Sequence, residues 1–240
     1  MSQEDAATPR VFLIRHGETE WSRNGRYTGI TDLPLLSEGE ERVRETASVV
    51  FGPGRLIDPN KLSAIICSPR KRAQQTLELL LDRVPDRAAK EAIAGKITTT
   101  EDIAEWGYGD YEGLWIEQIR QLRQERGLDQ ERPWNIWRDG CEGEGGHSPA
   151  QVAERLDRVI SHVTSIQKEG VGKQQKCDIV VVAHGHILRA FVKRWLAFSL
   201  DTKLEMVLEP GGVCGLSYAH GNLEQRAVLV GMSFPGSASP

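Results

Sequence analysis

The 240-residue chain predicts an α/β fold, a three-layer α/β/α sandwich on a mainly parallel central sheet, with a helical and loop insertion over the site. Two observations carry that reading. Three short, continuous apolar runs, "RVFLIR" (10–15), "LSAIICS" (62–68) and "CDIVVVAHG" (177–185), have the grammar of strands buried on both faces. Each precedes a stretch with helical spacing, and strands alternating with helices argue for parallel pairing covered by helices. Charged residues at 27% and hydrophobic residues at 39% suit a globular core. The length fits one domain, 10–232, with an insertion at about 114–147 and loose tails at 1–9 and 233–240.

The elements follow in order. The first run lies between Pro9 and Gly17. In "SEGEERVRETASVVF", Ser37 and Glu40 form a capping box and Gly52 closes the helix. The second run leads to Ser68 as N-cap, Pro69 at the first helical position and the helix "RKRAQQTLELLLDRV". "LWIEQIRQLRQERG" (114–127) is amphipathic. The piece at 128–148 lacks periodicity, but Trp134 and Trp137 favour packing, as a cover. A long helix then opens with Ser148 as cap, Pro149 next and Gln151 at the third position. The third run precedes "HILRAFVKRWLAF", and "GGVCGLSYAH" and "RAVLVGM" are two strands joined by "GNLEQ".

Composition excludes several classes of function. A formal net charge of −4 supplies no global field for nucleic acid or an anionic membrane. No run approaches the ~20 apolar residues of a membrane span, and no leader is recognisable, so the cytoplasm is the expected compartment. Cys67, Cys141, Cys177 and Cys214 form no C-x-x-C pair and read as free, mainly buried thiols. Nothing specifies an oligomer.

Ligands of open parallel sheets bind beyond the carboxyl ends of the strands. The first run delivers Arg15 and His16 there, the second Arg70 at a helix start, the third His184 and His186. Arginines and a helix N-terminus suit a phosphoryl group. Imidazole is a nucleophile toward phosphorus when neutral, and flanking arginines disfavour imidazolium. A carboxyl group is needed to protonate the leaving oxygen and later to deprotonate water. Glu105 is the candidate, with Glu18, Asp102, Asp110 and Glu112 as rivals. A metal chelate through His184, His186 and His16 is disfavoured by the crowding arginines.

The succession "RHGETEW", "GRYTG", "LPLLSEGE", "SPRKRAQQT", "EWGYGDYEG" and "VVAHGHILR" resembles the histidine phosphatase superfamily, which includes phosphoglycerate mutases and fructose-2,6-bisphosphatases. The stretch "GLDQERPWNIWRDGCE" with "LSYAH" more narrowly resembles its fungal sedoheptulose-1,7-bisphosphatases. The resemblance implies His16 as phosphorylated nucleophile, Arg15 and Arg70 as phosphate clamps, His184 as a charge-stabilising second histidine and Glu105 as proton donor. It implies substrate contacts at Thr28, Gly29, Tyr108 and Gly185, and no metal or cofactor. Ser22 stands where the family commonly has asparagine, and its hydroxyl is the expected substitute contact. The implied partner is a small sugar phosphate. Sedoheptulose 1,7-bisphosphate leads and fructose 1,6-bisphosphate is a poorer substrate, with Arg132, Arg26 or Arg138 available for a second phosphate. A mutase and a non-catalytic phospho-ligand module are the alternatives.

Overall fold

The computed structural model describes residues 8–231, except 85, 174 and 176. The tails expected at 1–9 and 233–240 lie outside the described residues save Thr8 and Pro9. Pro9 is buried, and its carbonyl accepts from the Ser217 hydroxyl at 2.9 Å.

Among the described residues six strands form one sheet: β1 (Val11–Arg15), β2 (Leu62–Cys67), β3 (Ile97–Thr99), β4 (Asp178–Ala183), β5 (Val213–Tyr218) and β6 (Arg226–Leu229), in the order β3-β2-β4-β1-β5-β6. β3, β2, β4 and β1 run parallel, while β5 and β6 add antiparallel on the far side of β1. The helices are α1 (Glu20–Asn24), α2 (Ser37–Val50), α3 (Lys71–Leu81), α4 (Arg87–Ala94), α5 (Ile116–Glu125), α6 (Ile136–Asp139), α7 (Pro149–Gly172) and α8 (Gly185–Trp195).

Side-chain alternation splits the core into two layers. Val11, Leu13, Ile179 and Val181 face the cluster built with α5, α7 and α8, whereas Phe12, Ile14, Val180 and Val182 face that built with α2, α3 and α4. The central strands are apolar on both faces because both faces are covered.

Two predicted caps are corrected. Ser37 is the first residue of α2 rather than its cap: the Leu36 N–H is held by the Glu18 carbonyl, Leu36 occupies the cap position, and the Ser37 hydroxyl donates to Glu38. Ser68 does not cap α3 either. Its hydroxyl oxygen takes a hydrogen bond from His184 and one from the Arg70 N–H, so the helix begins at Lys71, with Arg70 as cap. At α7 the Ser148–Gln151 capping box and Pro149 stand as the sequence predicts. The expected helix at 114–127 is α5, and Trp134 is packed against Tyr111 and Tyr27. All four thiols are free.

Candidate active site

Beyond the ends of β1 and β4 lies a cavity of about 350 Å³. Of the residues singled out from the sequence, Arg15, His16, Ser22, Thr28, Glu105, Tyr108 and Gly185 line it. His186 and Arg26, also named from the sequence, line it too, and Thr19, Trp21, Gly25, Tyr27 and Arg189 complete the walls.

β1 is pinned between β4 and β5, so its end is rigid and His16 is delivered in one pose. The Gly17 carbonyl lies 2.7 Å from His16 Nδ1. A carbonyl only accepts, so Nδ1 carries the proton and Nε2 is the basic nitrogen. Burial first, then the charges of Arg72 and Arg15, hold the His16 pKa well below the ordinary histidine value. The ring is therefore neutral, the form that can attack an electrophile. Gly17 has to be glycine for space, since a Cβ there would come within 2.8 Å of the Gly39 carbonyl oxygen.

The second histidine has the opposite tautomer. Arg72 Nε donates to His184 Nδ1 at 3.1 Å, so His184 carries its proton on Nε2 and donates to the Ser68 hydroxyl at 2.6 Å. Its ring centre is 5.1 Å from that of His16. Fully buried, it lies behind the nucleophile rather than in the cavity wall. Burial and the charge of Arg72 depress its pKa too.

The arginine predicted at the start of α3 needs correcting. Arg70 turns outward to Glu101 at 3.1 Å and does not line the cavity. Arg72 turns inward. It is fully buried, and besides His184 it donates to the carbonyls of Thr28, Gly29 and Thr31. Residues two apart on a helix point in different directions, so only one of the pair can face the histidines. The alternating "RKR" left this choice open, and a helix starting at Pro69 would mis-set it.

Glu105 sits on an irregular segment, yet it is 7% exposed and tightly held. Its Oε1 accepts from the N–H groups of Trp106 and Ile187, and its Oε2 from that of His186. Arg155 of α7 fixes the same segment from behind through the carbonyls of Ala104 and Glu105. The first turn of α8 is thus taken by Glu105, and at the start of α3, the helix end expected to meet phosphate beside Arg70, Asp32 takes the Lys71 N–H. Oε2, with one N–H bond against two on Oε1, is the oxygen with spare capacity for proton exchange.

The remaining predicted contacts divide. The Ser22 hydroxyl accepts from the Thr19 N–H and donates to the Thr19 carbonyl, closing the cap of α1 at the cavity edge. Tyr108 is buried, with its hydroxyl 2.8 Å from His186 Nδ1. Gly29 is a packing position: a Cβ would meet the Trp106 carbonyl oxygen at 2.7 Å, and its N–H binds Glu112. Arg132 is exposed beside Asp139 and away from the cavity. Sequence reasoning passed over Arg72, Arg155 and Arg189. Arg189 was legible as the helical neighbour of Gly185, whose carbonyl its Nε reaches at 3.0 Å.

With both nitrogens of His184 and Nδ1 of His186 bonded, the three histidines do not form a chelate. Among the described residues no group of three metal-ligating side chains converges.

The sequence pattern of the histidine phosphatase superfamily (branch 1) matches residues 11–230. The chain belongs to that superfamily. It is a phosphatase, and two of its relatives are named as phosphatases. It is 37% identical to the sedoheptulose 1,7-bisphosphatase of Saccharomyces cerevisiae over 92% of each chain. It is 35% identical to an acid phosphatase of Mycobacterium tuberculosis over 92% of this chain and 91% of the other. A solved structure of an open reading frame product from Mycobacterium tuberculosis superposes with a TM-score of 0.70 at 29% identity, covering 92% and 96% of the two chains. In this histidine phosphatase Arg15, the last residue of β1, and His16 directly after it line the cavity.

Proposed function

We propose that this histidine phosphatase removes one phosphate from a sugar bisphosphate by way of a phosphohistidine at His16. The leading substrate is sedoheptulose 1,7-bisphosphate, giving sedoheptulose 7-phosphate, and fructose 1,6-bisphosphate is a poorer one. The observation that carries this reading is the make-up of the cavity: a neutral histidine, the guanidinium groups of Arg15, Arg26 and Arg189 and, among the described residues, one carboxylate, Glu105. Such a cavity selects a small ligand with more than one negative charge. The likeness to the yeast enzyme supports the seven-carbon sugar.

The chemistry balances on these groups. Arg15 Nη1 is tied to the Leu208 carbonyl while its Nε is buried without a partner among the described residues, which suits it to a phosphate oxygen. The lone pair of His16 Nε2 attacks phosphorus. The bond from phosphorus to the sugar oxygen breaks, and protonated Glu105 gives its proton to that oxygen. A water then attacks the phosphohistidine and passes a proton back to Glu105, and the N–P pair returns to Nε2. Arg72 and His184 hold the nucleophile's surroundings from behind.

The test is phosphate release from a panel containing sedoheptulose 1,7-bisphosphate, fructose 1,6-bisphosphate and 3-phosphoglycerate, with EDTA present and His16→Ala as control. The expected result is turnover favouring the seven-carbon bisphosphate and lost in the variant. Phosphoryl transfer between positions of phosphoglycerate, in place of release, would make the chain a mutase. No turnover of any member would favour a module that only binds a phosphorylated ligand.

A further inference from the structure

We infer that Arg26 is the clamp for the substrate's second phosphate, and so the residue that separates sugar bisphosphates from sugar monophosphates. The inference rests on the bisphosphate reading above.

Elimination points there first. A bisphosphate brings two dianionic ends, and the reacting end already has its partners in Arg15 and in Arg189, which anchors on Gly185 beside the Arg15 guanidinium. The α8 N-terminus is filled by Glu105. Of the basic residues that the sequence offers for a second phosphate, Arg132 and Arg138 are both paired with Asp139, at 3.7 and 2.7 Å, and neither lines the cavity. Arg26 does line it.

The local chemistry of Arg26 supports the assignment. Its guanidinium carbon lies 4.1 Å from the ring centre of Trp115 and 5.6 Å from that of Trp21. Indole faces attract the cation and fix its plane without consuming its N–H groups. Its Nε is buried and has no hydrogen-bond partner, and among the described residues no carboxylate pairs with it. A buried, unsatisfied donor on a fixed cation is an unfavourable arrangement until an acceptor arrives. Arg26 follows α1 in the chain and stacks between Trp21 of α1 and Trp115, the cap of α5, whereas Arg15 ends β1 and Gly185 begins α8. The two guanidinium groups therefore serve different ends of a ligand, and a phosphate can be met bidentately at each.

The experiment compares kcat/KM for fructose 1,6-bisphosphate and fructose 1-phosphate in the wild type, Arg26→Gln and Arg26→Lys, with thermal melting to confirm that the variants fold. Both substrates lose the same phosphate, so their ratio reads the second one alone. The wild type should prefer the bisphosphate. Arg26→Gln should reduce that preference roughly ten- to a hundredfold, through KM more than kcat, and Arg26→Lys should recover part of it. A wild-type preference that survives in Arg26→Gln overturns the role of Arg26 alone. So does an equal loss on both substrates. A wild type without any preference overturns the role of Arg26 together with the bisphosphate reading.

Discussion

Arg70 and Arg72 carry the same side chain and lie two positions apart, and their opposite fates show how much of the site hangs on one residue's direction. Removal of Arg72 leaves three carbonyls and a histidine nitrogen without their donor, at about 1–3 kcal/mol for each unsatisfied group. Arg72→Ala is therefore expected to lower the denaturation midpoint markedly and to reduce kcat/KM by at least about 100-fold, the loss typical of a preorganised electrostatic group. Arg70→Ala removes a half-exposed ion pair with Glu101 and should change stability by less than about 1 kcal/mol. Steady-state kinetics and urea titration of the two variants check the ordering. An Arg70 variant more damaged than the Arg72 variant would contradict it. Arg15 and His16 were legible because a strand end announces itself, whereas spacing left Glu105 among the rivals Glu18, Asp102, Asp110 and Glu112, and only the family resemblance singled it out. Gly29 and Arg132 were not, since a motif position does not reveal whether it faces a cavity, a carbonyl or solvent.

Among the elements, β1, β2 and β4 were readable as apolar runs because each is buried on both faces. β3, only Ile97–Thr99 with two exposed threonines at the sheet edge, leaves no such trace. α4 escaped because it is short and its inward face is only the buried Ile93 with the partly buried Ala89, too small a stripe to stand out. The misread starts of α2 and α3 were serines whose hydroxyls found other partners, a choice made by tertiary contacts. The Glu105 segment is the element on which the chemistry depends most. It has little regular structure, and α7 holds it through Arg155, whose pKa burial lowers to about 10. Arg155→Gln keeps a donor but loses the fork. It should lower kcat roughly tenfold or more by loosening Glu105, with a smaller change in KM. A KM effect without a kcat effect would show that Arg155 does not position the proton donor.

For the whole molecule, burying three histidines in a basic site has a consequence for stability. His16, His184 and His186 all have pKa values depressed well below 6.5, each chiefly by burial. Above about pH 6.5 both the folded and unfolded chains leave them neutral, and they contribute nothing to the pH dependence. Below it the unfolded chain takes up protons that the folded chain refuses. Stability should fall as pH falls from about 6.5 toward the folded pKa values, by up to about 1.4 kcal/mol per histidine per pH unit. Urea midpoints at pH 7.5 and 5.5 test this, and equal midpoints would contradict it. The same neutrality makes His16 a ready nucleophile, so the stability penalty at low pH and the chemistry have one physical origin.

The most direct measurement of the central claim is rapid acid-free quenching of the enzyme during turnover of a radiolabelled sugar bisphosphate, followed by peptide mapping. The expected result is label on His16, stable in alkali, lost in acid, and absent from a His16→Asn variant. Turnover without any labelled protein, or with label on a residue other than His16, would contradict the account.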